Sequence, residues 1–106
     1  MKKDNKNFLL DLLITPTPTS DEGRGIEVFK KKMKETNEFL FQDNFNNCVF
    51  RKGDPDGKKV MISGHIDELG FIVTHITEGG FCNISCLSGE DRRVLPGSRL
   101  QVLTSN

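Results

Sequence analysis

The sequence predicts an α/β fold, on three observations. Two amphipathic helical patterns open the chain. Short strand-like runs follow, and one of them, Val60-Met61-Ile62, is continuously apolar in the manner of a buried strand. From about residue 71 the pattern turns to hairpins, which suggests a change of architecture and two units, residues 1–70 and 71–106.

Residues 5–14 read as the first helix, with Phe8, Leu9, Leu12 and Leu13 on one face and Leu10 and Ile14 beside it. Pro16 stops it, and Thr15-Pro16-Thr17-Pro18 reads as a stiff extended link. Thr19-Ser20-Asp21-Glu22 has the capping-box pattern, in which the Thr19 hydroxyl accepts from the Glu22 amide and Glu22 reaches back. Ile26, Phe29 and Met33 then carry an apolar stripe to about Lys34. Gly23 and Gly25 weaken helix propensity near its start and suggest close packing against a neighbour.

The strand expectations are residues 38–42, 48–52, 59–63, 71–76, 81–87 and 99–103. Turns are expected at Gly53-Asp54-Pro55-Asp56-Gly57, Glu78-Gly79-Gly80, Ser88-Gly89-Glu90-Asp91 and Leu95-Pro96-Gly97-Ser98, each from its Gly, Pro, Asp or Ser content. His75 would share a face with Phe71 and Val73 by strict alternation and reads as a packed or edge histidine. Cys82 and Cys86 would also face one way, but with His75 they lack both the usual spacing and a fourth ligand for zinc.

The chain has 15 basic and 15 acidic residues, a formal net charge of zero. That argues against nucleic acid or an anionic membrane as a partner, since both favour a basic excess. Lys30-Lys31-Lys32 and Lys34 read as a solvated helix face. The opening residues lack the pattern of a signal peptide, and no run reaches the length of a membrane span. Cys48, Cys82 and Cys86 are odd in number and without framework spacing, so free thiols in a reducing cytoplasm are expected.

The chemistry concentrates after the apolar run. Ser63-Gly64 ends it, and His65-Ile66-Asp67-Glu68-Leu69-Gly70 follows. Open α/β sheets place ligands at the carboxyl ends of their strands. A carboxylate two residues beyond the imidazole can fix its tautomer and raise its basicity, as a metal-ligating histidine requires. The bland alternative is a loop histidine donating to a carbonyl, with Asp67 as a turn residue. One imidazole and one carboxylate are fewer than the three protein ligands that a catalytic metal takes.

Three blocks together resemble the TET-type, glutamyl-aminopeptidase-like family of dinuclear metallo-aminopeptidases. They are the Leu9-to-Gly23 segment with its Thr-Pro repeats, the block Ser63-Gly64-His65-Ile66-Asp67-Glu68-Leu69-Gly70-Phe71-Ile72-Val73, and Leu87 to Asp91 with Val94-Leu95-Pro96-Gly97. The resemblance runs along nearly the whole chain but corresponds to the amino-terminal third of the family. It implies the start of an α/β peptidase sandwich, followed from residue 71 by the start of an inserted antiparallel β-barrel used in dimerisation. It implies peptide substrates, a homo-oligomer and two divalent metal ions, zinc or cobalt. His65 would be a ligand of one metal, and Asp67 the catalytic-site residue that orients it. Glu68 is supported by the resemblance alone.

The family's other ligands and its general base lie downstream, so the expectation is an incomplete, inactive piece with at most weak single-metal binding. The alternative is a non-catalytic assembly piece that associates through its barrel edge. Some relatives carry glucanase names, but nothing here points to the paired carboxylates of a glycosidase.

Overall fold

The computed structural model describes residues 3–104. Helix α1 spans Lys3–Ile14 and α2 spans Gly23–Met33; strands β1 (Glu38–Gln42), β2 (Cys48–Arg51), β3 (Phe71–Ile76) and β4 (Cys82–Cys86) follow, with one 3-10 turn at Arg92–Val94. The four strands make two separate antiparallel hairpins, β1–β2 and β3–β4. The composition is that of a mixed α/β piece, with no barrel among the described residues. No helix among them is long and apolar enough to cross a membrane.

Aromatic rings join the first helices to the first hairpin. Phe8 of α1 lies 6.4 Å from Phe29 of α2, Phe29 lies 5.8 Å from Phe50 of β2, and Phe50 lies 5.4 Å from Phe39 of β1. The last two pairs meet edge to face, the arrangement that sets one ring's positive edge on the other's negative face. The apolar face of α1 is narrower than its pattern suggests. Phe8 and Leu12 are half-buried, whereas Leu9, Leu10, Leu13 and Ile14 remain exposed.

Turn chemistry matches the sequence. Gly80 at φ 81° closes the β3–β4 hairpin, its N–H donating to the Thr77 carbonyl at 2.9 Å. Leu95-Pro96-Gly97-Ser98 is a turn closed by Ser98 N–H to Leu95 O at 2.9 Å, with proline second and Gly97 at φ 83° third, the type II pattern.

Four expectations are corrected. The capping box does not form: Glu22 is the N-cap of α2, and no side chain caps it. Pro18-Thr19-Ser20-Asp21 is instead a β-turn, closed by Asp21 N–H to Pro18 O at 2.8 Å, with Ser20 at φ 77°. With Glu22 as the N-cap, Thr19 lies three residues before the capping position. Residues 59–63 are not a buried strand; Val60, Met61 and Ile62 are 88%, 90% and 94% exposed. Residues 99–103 are not a strand either. A strand exists through its ladder partner, and neither run has one among the described residues. Finally, the register slips between Val73 and His75, so His75 pairs with Asn83 while Val73 pairs with Ile84 and Ile76 with Cys82. The bulge at Thr74 turns His75 to the face opposite Phe71, Val73, Cys82 and Cys86.

Candidate functional site

The Thr-Pro link and the loop after the apolar run lie side by side. Pro18 and Glu68 form an isolated parallel bridge. Glu68 N–H donates to Thr17 O at 2.9 Å, and Thr19 N–H donates to Glu68 O at 3.1 Å. Proline supports this pairing because it holds φ extended and has no N–H to leave unpaired in a two-strand contact. Side chains reinforce it. Thr17 N–H donates to Glu68 Oε1 at 2.9 Å, and Thr17 Oγ1 donates to Ile66 O at 2.7 Å. Thr17 is 5% exposed. Its buried hydroxyl is thereby satisfied, as burial requires. Glu68, whose role the sequence left open, is a clamp on the Thr-Pro link.

Two glycines let the segments approach. A Cβ on Gly25 would collide with Thr17 Cγ2. A Cβ on Gly70 would stand 2.6 Å from Pro18 Cβ and 3.3 Å from Pro18 Cα. The close packing expected at Gly25 is present, whereas Gly23 faces open space.

Within this frame Asp67 Oδ1 lies 3.0 Å from His65 Nδ1, and the Asp67 carbonyl lies 3.3 Å from the same nitrogen. Asp67 Oδ2 accepts from Thr19 Oγ1 at 3.1 Å. With its proton on Nδ1, the imidazole presents the Nε2 lone pair outward, on a side chain that is 86% exposed. A neutral imidazole in that tautomer is a metal or proton acceptor at Nε2. Among the described residues no three His, Cys, Asp or Glu side chains converge as a metal cluster. His75, Cys82 and Cys86 do not join His65. Cys48 is half-buried, and burial pushes its thiol pKa up, which makes it a poorer nucleophile.

The far end of the loop is pinned by Glu90. Its Oε1 accepts from Ser88 Oγ at 2.7 Å and from Gly70 N–H at 3.3 Å, while Leu87 N–H donates to Gly70 O at 2.9 Å. The Ser88 hydroxyl is the main reason that the Glu90 carboxyl sits below its ordinary pKa. Its second oxygen is enclosed without a partner.

Nothing local in the sequence signals Thr17, Thr19 or Glu90 as parts of this arrangement. Thr17 and Thr19 meet partners 48 to 51 positions away along the chain. Only a comparison pairing the Thr-Pro block with the His-x-Asp-Glu block could have found them.

Comparison with known proteins gives the chemical context. The family model described as M42 glutamyl aminopeptidase matches residues 46–106, more than half of the chain. "Putative aminopeptidase FrvX" of Escherichia coli (strain K12) is 40% identical over 64% of this chain and 18% of its own length. "Putative aminopeptidase" of Acetivibrio thermocellus is 33% identical over 71% of this chain and 22% of its own. "Putative aminopeptidase SgcX" of Escherichia coli (strain K12) is 33% identical over 66% of this chain and 18% of its own. The chain thus spans about a fifth of the length of these curated relatives. No solved structure matches it.

Proposed function

The chain belongs to the M42 glutamyl aminopeptidase family, and from that premise we propose that it serves a metal-dependent aminopeptidase, which removes amino-terminal residues from peptides. The observation that supports this best is the imidazole of His65, held through Nδ1 by Asp67 at 3.0 Å with Nε2 left open. The donor set fits one ligand of a divalent metal: a neutral nitrogen oriented by a carboxylate. His65 would hold the metal through Nε2, and Asp67 would keep the Nδ1 proton and set the ring plane. Glu68 and Thr17 hold the loop that carries them both. Divalent ions held there, zinc or cobalt in this reading, would supply Lewis acidity toward the terminal peptide bond.

The remaining ligands and the general base lie outside these residues in this reading. The 106 residues alone therefore bind metal weakly and have no turnover. The reading includes peptide substrates, a homo-oligomer and a cytoplasmic setting. The balanced charge supports a protein that does not depend on nucleic acid or an anionic membrane. A second reading, an assembly piece without catalysis, is supported by the exposed apolar residues Ile72 and Ile76 on β3.

The test is hydrolysis of aminoacyl p-nitroanilides by the protein expressed from the complete reading frame. Activity should vanish with a chelator, return with zinc or cobalt, and fall to background in His65→Ala. Full activity in His65→Ala overturns the ligand assignment. A full-length protein inert with every metal, yet oligomeric, favours the assembly reading.

A further inference from the structure

We propose that Thr19 is a positioning residue that sets the tautomer of His65 through Asp67, a proposal that rests on reading His65 as a ligand that binds through Nε2. An aspartate can turn about its last torsion, which is soft and two-fold. A single bond to His65 would leave that rotation loosely determined. Here both oxygens are engaged: Oδ1 with His65 Nδ1 at 3.0 Å and Oδ2 with Thr19 Oγ1 at 3.1 Å. The two contacts fix the carboxylate plane between a ring and a hydroxyl.

The hydroxyl itself is well placed to do this. Thr19 N–H is tied to Glu68 O at 3.1 Å, and the adjoining Thr17 is tied to Glu68 and to Ile66 O. The Pro18–Asp21 turn with Ser20 at φ 77° frees the hydroxyl from helix capping. Thr19 Oγ1 also lies 3.2 Å from Glu68 O. It has one proton, and an ionised carboxylate accepts it more strongly than a carbonyl does. Losing the hydroxyl lets Asp67 rotate. The imidazole then returns to the Nε2–H form that unconstrained histidine side chains favour, with its proton on the nitrogen that a metal needs.

The experiment is nitrogen-15 NMR of the His65 ring in the full-length protein, labelled at histidine and free of metal. The native protein should be mostly Nδ1–H. Thr19→Val should move the population toward Nε2–H, in the direction of an Asp67→Asn reference, whereas Thr19→Ser should keep the native tautomer. Unchanged tautomers in Thr19→Val would overturn the proposal and assign the hydroxyl to Glu68 O. A native protein that is mostly Nε2–H overturns it whatever the variants do, including when Thr19→Val fails to fold. Zinc titration of the same samples separates the two readings. If zinc leaves the His65 ring untouched while Thr19→Val still shifts the tautomer, the ligand reading fails and the positioning role stands. If zinc engages His65, Thr19→Val should weaken it by about 10-fold, the lower end for a partner of a ligating histidine.

Discussion

Asp67 and Glu90 are both carboxylates that hold the 65–70 loop, yet they answer to different changes. Asp67 faces the imidazole at 3.0 Å. Asp67→Asn keeps the shape and removes the charge, so metal affinity at His65 should fall by about 10- to 100-fold in the full-length protein. Calorimetric titration with zinc checks this, and an unchanged isotherm would count against an orienting role. Glu90 touches backbone, through Gly70 N–H at 3.3 Å. Its carboxyl lies below the ordinary value of 4.5, chiefly through the Ser88 hydroxyl, with smaller help from the backbone amides of Glu90 and Gly70. A carboxyl whose folded pKa is lowered stabilises the fold above its unfolded pKa and loses that contribution as pH falls through the folded one. The Gly70 amide resonance should therefore hold steady from neutral pH down to the ordinary carboxylate range, then move on further acidification. Glu90→Gln should abolish that step, and a step that persists in the variant would assign it to another group.

Among the elements, the contact between the Thr-Pro link and the 66–70 loop is sensitive to added volume. Gly70→Ala would set a methyl 3.3 Å from the Pro18 backbone, which has little freedom to move. Overpacking of this kind costs about 1–3 kcal/mol. Denaturant unfolding should show that loss, with faster hydrogen exchange at Thr19 N–H and little change within β3–β4. Equal loss throughout would mean that the bridge and the hairpin open together. The helices and hairpins were legible because their signals are local: the apolar stripe of Ile26 and Phe29, and the Gly79-Gly80 turn. Residues 59–63 misled because an apolar run reports burial only where something covers it. His75 misled because strict alternation has no memory of a bulge. The His65–Asp67 pair was legible because its partners are two residues apart. Thr19 was not, because a Thr three residues before Glu reads first as a cap.

The described structure is open for its size. Its accessible surface is 9140 Å², against roughly 5,900 Å² for a folded monomer of this mass. Its radius of gyration is 17.8 Å, against about 13 Å for a compact chain of this length. Among the described residues Ile26 is the one buried apolar side chain, while Val60, Met61, Ile62, Ile72 and Ile76 lie exposed. The 106 residues, prepared alone, should therefore self-associate through residues 71–103 and melt without a sharp transition. Sedimentation across a concentration series checks this; a stable monomer with a sharp, concentration-independent melt would contradict it. The Pro18–Glu68 bridge also carries a meaning in time. It closes a loop containing all of α2 and the whole β1–β2 hairpin, and its side-chain bonds join positions 48 to 51 apart. Local helices and hairpins form within microseconds, whereas so distant a meeting must wait for them. The Thr19 contact to Asp67 thus forms later in folding than the local His65–Asp67 contact. Closure entropy grows only with the logarithm of loop length, so even doubling the enclosed chain adds about 0.6 kcal/mol. Extra residues grafted into the Gly53–Gly57 turn should accordingly slow the closing of this bridge and weaken it by the same small factor, about threefold at a doubling of the loop.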